Sequence, residues 1–212
     1  MIVIPMAGLS SRFLKAGYIK PKYMLEAHGK SLFEHSVNSF RNYFQNTKFL
    51  FILNDQFNSE SFVEKKIKIL GIKDYIIINL NRSTRGQAET VYLGLKKICY
   101  NGEITIFNID TLRIDFSFPI NRNKFDGFID VFLGKGKHWS FIKTTNIKSK
   151  LITQTSEKRR ISNLCCTGLY HFNNLNDFFI TYNHYISLPK KDWEKGELYV
   201  APLYNYLFRQ LF

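Results

Sequence analysis

Short apolar runs alternate with stretches of helical periodicity through the first half of the chain. Ile2 to Met6 is an apolar run interrupted only by Pro5, and it predicts a first buried strand. From Ser31 to Phe44, the residues Leu32, Phe33, Val37, Phe40 and Phe44 fall on one helical face. Ser31 followed by Glu34 matches a capping box at the start of that helix. Lys48 to Leu53 predicts a second strand, Ser59 to Leu70 a helix with Phe62, Val63, Ile67 and Leu70 inward, and Tyr75 to Ile78 a third strand. Gln87 to Ile98 reads as a helix that aligns Val91, Leu95 and Ile98, and Ile104 to Ile109 as a fourth strand.

Strands separated by helices imply right-handed crossovers and a mostly parallel sheet covered on both faces, an α/β fold. Ligands of such sheets bind beyond the carboxyl ends of the strands. That rule singles out the loop after Met6 and the residue after Ile109. Beyond Asp110 the pattern changes. Phe128 to Leu133, Trp139 to Lys143, Leu151 to Thr155 and Thr167 to Phe172 predict strands without long helices between them. Helices over about Asn174 to Ile186 and Ala201 to Leu211 close the chain. No repeat or linker-like run divides the 212 residues, so one domain is expected.

Composition narrows the class. Hydrophobic residues make up 45% and charged residues 22%, as in a globular protein rather than a disordered one. No apolar run approaches the ~18 residues of a membrane span, and no secretory leader is visible at the N-terminus. Cys99, Cys165 and Cys166 lack metal-type spacing, and the adjacent pair is a poor disulfide partnership; a reducing cytoplasm suits them. The net charge of +13 admits an anionic partner (nucleic acid, anionic lipid or a phosphorylated small molecule), but abundant Lys, Asn, Ile and Phe are equally explained by a genome biased toward A and T, so charge alone decides little. Basic residues are spread along the chain, denser from Lys135 to Arg160, and no nucleic-acid-binding motif is present.

The densest local chemistry is Ala7-Gly8-Leu9-Ser10-Ser11-Arg12-Phe13, followed by Pro21-Lys22. A glycine and two serines let backbone N–H groups approach phosphate closely, while Arg12 offers a planar fork and Lys22 a compact charge. The competing reading is an ordinary strand-to-loop turn with two solvated cations. The segment is neither a Walker A loop nor the dinucleotide-binding GxGxxG. Gln87, just after Gly86 and at a helix start, can offer a donor and an acceptor to a base edge. Asp110 at a strand end is a hard-oxygen ligand suited to Mg²⁺, or else a turn residue or helix cap.

Taken together and in this order, these segments resemble the sugar-phosphate nucleotidylyltransferases. Further on, Thr155-Ser156-Glu157-Lys158-Arg159-Arg160-Ile161-Ser162 followed by Thr167-Gly168-Leu169-Tyr170 is similar to the family's acceptor-side signature, and Gly196-Glu197-Leu198-Tyr199-Val200-Ala201-Pro202-Leu203-Tyr204-Asn205 resembles a segment of capsule-associated members. The resemblance covers roughly Ile2 to Asn205. It implies a three-layer α/β/α domain with a mixed, mostly parallel sheet of the nucleotide-diphospho-sugar transferase type, GT-A-like and Rossmann-like. Residues 1–115 would form a nucleotide-binding half and 116–212 an acceptor-binding half.

The resemblance also assigns roles. Arg12 and Lys22 would be catalytic, and Ala7, Gly8, Leu9, Ser10, Ser11, Gly86 and Gln87 would bind nucleotide. Glu157, Lys158, Gly168 and Glu197 would serve the acceptor, and Asp110 the Mg²⁺. Many relatives carry a second metal-binding aspartate near Glu197, which this chain lacks; either Glu197 substitutes for it, or the metal relies on Asp110, substrate oxygens and water. The implied partners are a nucleoside triphosphate, with CTP favoured, and a phosphorylated small acceptor for cell-surface polysaccharide synthesis. The acceptor is a sugar phosphate, or a non-sugar phosphate such as phosphoglutamine or phosphocholine. Neither nucleic acid nor membrane insertion is expected, and a homo-oligomer stays open. The rival from another class is an inactive, basic nucleic-acid-binding or scaffold domain, which leaves the ordered set Gly8, Arg12, Lys22 and Asp110 unexplained.

Overall fold

The computed structural model describes residues 1–9, 11–54, 58–146 and 150–207, with Ser11 and Arg12 described as backbone only. In chain order, the first half contains β1 (Ile2–Pro5), α1 (Ser11–Lys15), the short hairpin β2 (Glu26–Ala27) and β3 (Lys30–Ser31), then α2 (Leu32–Val37). It continues with β4 (Phe49–Asn54), α3 (Glu60–Leu70), β5 (Tyr75–Leu80), α4 (Gln87–Leu95) and β6 (Ile104–Phe107). The second half contributes β7 (Gly127–Leu133), β8 (Ser140–Thr144), β9 (Ile152–Glu157), β10 (Leu164–Phe172), α5 (Leu175–Ser187) and α6 (Tyr204–Leu207).

Among the described residues eight strands form one mixed sheet in the order β5-β4-β1-β6-β10-β8-β9, with β7 also paired to β10. β5, β4, β1 and β6 run parallel, and β10 joins β6 antiparallel. β1 therefore lies between β4, the next strand of this sheet in the chain, and the later β6, so the sheet grows from β1 in opposite directions. That is a topological switch point, where a crevice opens beyond the strand ends. The apolar runs are continuous because both faces are buried. Val3, Leu50, Ile52, Ile104 and Ile106 pack under α4 and α5 with Val91, Leu95, Phe178 and Tyr182. Ile2, Ile4, Phe49, Phe51 and Phe107 face the other way, against Phe33, Val37, Val63 and Ile67.

Several elements differ from expectation, four of them near the site or its core. The capping box forms, with Ser31 Oγ accepting from the Glu34 backbone N–H at 3.2 Å and Glu34 Oε2 accepting from the Ser31 N–H at 2.8 Å. The predicted helix to Phe44 nevertheless turns into 3₁₀ turns over Asn38–Tyr43, with Phe40 at φ −106° and ψ 23°. Phe40 is wedged edge-on against Phe107 and Phe116, at 4.9 and 5.2 Å between ring centroids, and this packing overrides helical propensity. The helix from Gln87 ends at Leu95 rather than Ile98. β6 stops at Phe107 rather than Ile109, because the Asn108 N–H turns to the Gly168 carbonyl (3.0 Å) and the Thr111 N–H closes a turn onto Asn108 O (3.1 Å). Asp110 thus sits in that turn. The closing helix begins as a 3₁₀ turn over Ala201–Leu203 before α6, and its last expected residues lie outside the described ones.

Candidate active site

A cavity of about 530 Å³ opens beyond the carboxyl ends of β1, β5 and β6. The loop after β1 contributes Met6 to Leu9, the 3₁₀ turn over Lys22–Met24 contributes Lys22 and Tyr23, and the turn after β6 contributes Asn108 to Asp110. Ser83 to Gln87, before and at the start of α4, form another wall together with Thr90. Lys190, Gly196 and Glu197, distant in sequence, complete it. The elements after β1 and β6 meet directly, because Lys22 Nζ stands 2.5 Å from Asp110 Oδ2 in an ion pair whose carboxylate is half exposed (50%). Asn54, at the end of β4, donates to the Ala7 carbonyl at 3.3 Å and so ties the loop after β1 to the neighbouring strand end.

The Ser83–Gln87 wall is braced from two directions. Arg85 forms a two-pronged ion pair with Glu89, whose carboxylate also accepts the Arg85 backbone N–H at 2.6 Å. Burial alone would raise the Glu89 pKa, but the hydrogen bonds from Arg85 outweigh it and hold the group below the usual value. The Arg85 guanidinium also lies 5.5 Å over the Trp193 ring, which links this wall to the 190–197 segment. The same segment is stitched down by two backbone bonds: Leu198 N–H to Arg85 O at 2.9 Å and Ala88 N–H to Leu198 O at 2.8 Å.

Gly86 lies where these chains cross. Its φ of 151° and ψ of 176° belong to glycine, and a Cβ there would stand 2.5 to 2.8 Å from the Leu198 backbone. Gly86 was expected to bind nucleotide; the structure adds that it lets residue 198 cross at backbone contact.

Ala7, Gly8, Leu9, Lys22, Gly86, Gln87, Asp110 and Glu197 of the predicted set line this single cavity. Ser10 lies outside the described residues, as do the side chains of Ser11 and Arg12. Glu157, Lys158 and Gly168 are not among the lining residues. Glu157 is buried, bonded to the Ser140 hydroxyl, and its backbone N–H is accepted by Glu194. Burial, reinforced by the nearby charges of Glu194 and Glu197, raises its pKa against the opposing hydrogen bond from Ser140 and the charge of Lys158. Lys158 Nζ reaches the Tyr199 hydroxyl at 2.5 Å and lies 4.6 Å over that ring, two residues from Glu197. These acceptor-side candidates therefore adjoin the cavity through the 194–199 segment. Gly168, at φ 99°, abuts Asn108.

Sequence reasoning gave no role to Asn108, Ser83 or Lys190. Asn108 carried a faint signal, two residues before Asp110 beyond a buried strand. Lys190 carried none, because only tertiary folding brings it to the wall.

An open, mostly parallel sheet with a cation-bearing loop and a carboxylate converging at its switch point is the frame of a nucleotidyltransferase, and solved structures put the chain in that class. The chain is 54% identical to the nucleoside-diphosphate-sugar pyrophosphorylase from Vibrio cholerae RC9, over 99% of this chain and 88% of that one, with a TM-score of 0.95. It therefore belongs to the nucleoside-diphosphate-sugar pyrophosphorylase family. A UDP-glucose pyrophosphorylase complexed with UDP-glucose shares the fold at 16% identity and a TM-score of 0.74, over 99% of this chain and 86% of that one. The inositol-1-phosphate CTP transferase from T. maritima shares it at 16% identity and 0.68, over 99% and 80%. No family model and no curated protein matches the chain. Among the described residues no helix is long and apolar enough to cross a membrane.

Proposed function

We propose that the chain transfers a nucleotidyl group from a Mg²⁺-bound nucleoside triphosphate, CTP by preference, to a phosphorylated small acceptor, in making a cell-surface polysaccharide precursor. The observation that carries this reading is the meeting of Lys22 and Asp110 at 2.5 Å on the wall shared with Gly8 and Gln87. The CTP preference, the capsule role and the acceptor class rest on the motif resemblance.

In this reaction an acceptor phosphate oxygen attacks the α-phosphorus. The new P–O bond forms as the α–β phosphoanhydride breaks and pyrophosphate departs with the electron pair. A phosphate oxygen is already ionised near neutral pH, so the chain supplies positioning and charge rather than a general base. The backbone of Ala7 to Leu9 cradles the triphosphate, Gln87 meets the base, and Lys22 balances charge at the reacting phosphate. Arg12 holds the leaving pyrophosphate in this scheme. Glu157, Lys158 and Gly168 orient the acceptor.

The donor chemistry fits Mg²⁺. Asp110 and Glu197 are hard carboxylates lining one cavity, and the described residues contain no three-residue cluster of His, Cys, Asp or Glu that would form an all-protein cage. That matches an ion held by one or two carboxylates plus substrate oxygens. When bound, it neutralises charge on the departing pyrophosphate.

The test is pyrophosphate release measured with each of four nucleoside triphosphates against sugar phosphates, phosphocholine and phosphoglutamine. CTP-dependent release with one acceptor is expected. Absence of release in every combination, together with tight salt-sensitive binding to nucleic acid, would replace this reading with the scaffold one.

A further inference from the structure

We propose that Asn108 is a positioning residue that sets which face of the Gln87 carboxamide meets the nucleobase. The inference rests on the reading of this cavity as a nucleotide site. Gln87 Nε2 donates a short hydrogen bond to Asn108 Oδ1, and both residues line the cavity. A carboxamide carries its oxygen and nitrogen on opposite arms of one carbon. With Nε2 committed to Asn108, what remains for a base edge is Oε1 and the second N–H, in a fixed arrangement. Without that bond the amide can flip by half a turn and present donor and acceptor in exchanged places. A group that flips freely cannot tell one base edge from its complement.

Asn108 is itself held on main chain and side chain. Its N–H donates to the Gly168 carbonyl at 3.0 Å, and its carbonyl accepts from the Thr111 N–H at 3.1 Å and the Ser36 hydroxyl at 3.3 Å. Its side chain fills the space beside Gly168 that a Cβ would occupy: Nδ2, Cγ and Cβ would lie 2.6, 2.8 and 3.0 Å from that atom. Gly168 is thus a seat for Asn108, and Asn108 a seat for Gln87. A strand of the acceptor side thereby bears on base selection at the donor side, and the path ends two residues from Asp110.

The test is isothermal titration of the full chain with Mg²⁺ complexes of CTP, UTP, ATP and GTP, for wild type, Gln87→Ala, Asn108→Ala and the double variant. Wild type is expected to prefer one base. Each single variant should weaken the preferred nucleotide about tenfold, the worth of one hydrogen bond, and leave the others nearly unchanged. The double variant should again lose about tenfold rather than a hundredfold, since both changes remove one interaction. Asn108→Asp keeps an oxygen that accepts from Nε2, so it should retain the preference ratio while weakening all four nucleotides alike. Gly168→Ala, which displaces Asn108, should relax the ratio as Asn108→Ala does.

Multiplying losses, or equal weakening of all four nucleotides by Asn108→Ala, overturns the positioning role. A relaxed Gln87→Ala beside an unchanged Asn108→Ala overturns that role alone. An unchanged ratio in Gln87→Ala, or no binding by wild type, overturns the nucleotide reading of this wall and the inference with it. Should the alanine variant not fold, the Asp and Gly168→Ala variants decide by their ratios.

Discussion

Replacing Gly86 by alanine probes the crossing that closes the cavity. The new methyl would enter the Leu198 backbone at 2.5 to 2.8 Å, and backbone atoms cannot rotate out of the way as a flexible side-chain tip does. One of the two chains must move. The two hydrogen bonds that join Arg85 and Ala88 to Leu198 are then lost or stretched, at about 1 kcal/mol each. An L-residue held at φ 151°, ψ 176° adds about 1–2 kcal/mol of backbone strain. The expected destabilisation is about 3–4 kcal/mol, at the high end for a single substitution. Urea melts monitored by circular dichroism should show a lower midpoint at an unchanged slope. Titration of the folded variant with Mg·CTP should show weaker binding, because Gly196 and Glu197 leave the wall with Leu198. A variant within about 0.5 kcal/mol of wild type would refute the claim that residue 198 crosses at backbone contact.

Asp110→Asn and Arg12→Ala are each expected to lower pyrophosphate release by on the order of 10²–10³ with an unchanged melting temperature; near-normal turnover in either rejects its role. Lys22→Ala should fall comparably, and chelation of Mg²⁺ should silence wild type until the ion is restored. Glu34 supplies a pH test: burial would raise its pKa, but bonds from Lys66 and Ser31 hold it down at about 2. A carboxylate with a depressed folded value stabilises fully above the unfolded value of about 4.5, and that stability drains away as pH falls toward 2. The wild-type advantage over Glu34→Gln, on the order of 3 kcal/mol at pH 7, should therefore shrink across that window in urea melts. A pH-independent gap would show that the Lys66 ion pair contributes nothing through charge.

The frame was legible because its signal is local. Apolar runs of Ile, Val, Leu and Phe mark strands covered on both faces, and the Ser31–Glu34 box marks a helix start wherever the rest of the chain goes. Candidate positions after β1 and β6 were legible for a related reason, since crossover handedness makes the crevice a consequence of strand order. What escaped was tertiary in origin. The 3₁₀ break at Phe40 answers to Phe107 and Phe116, far away in sequence. The stop of β6 answers to Gly168, and the fourth wall of the cavity answers to a crossing between residues 85–88 and 198. A glycine before a helix gives no hint of which distant backbone it admits.

The wall contributed by Lys190, Gly196 and Glu197 also has a consequence for the order of assembly. Every strand of the sheet, and α4, precede this segment in the chain and can assemble before it docks. Until Leu198 settles across Gly86, the crevice is open on that side to the surroundings. Competence to retain a nucleotide should thus arrive abruptly, when that crossing closes, rather than grow in step with the sheet.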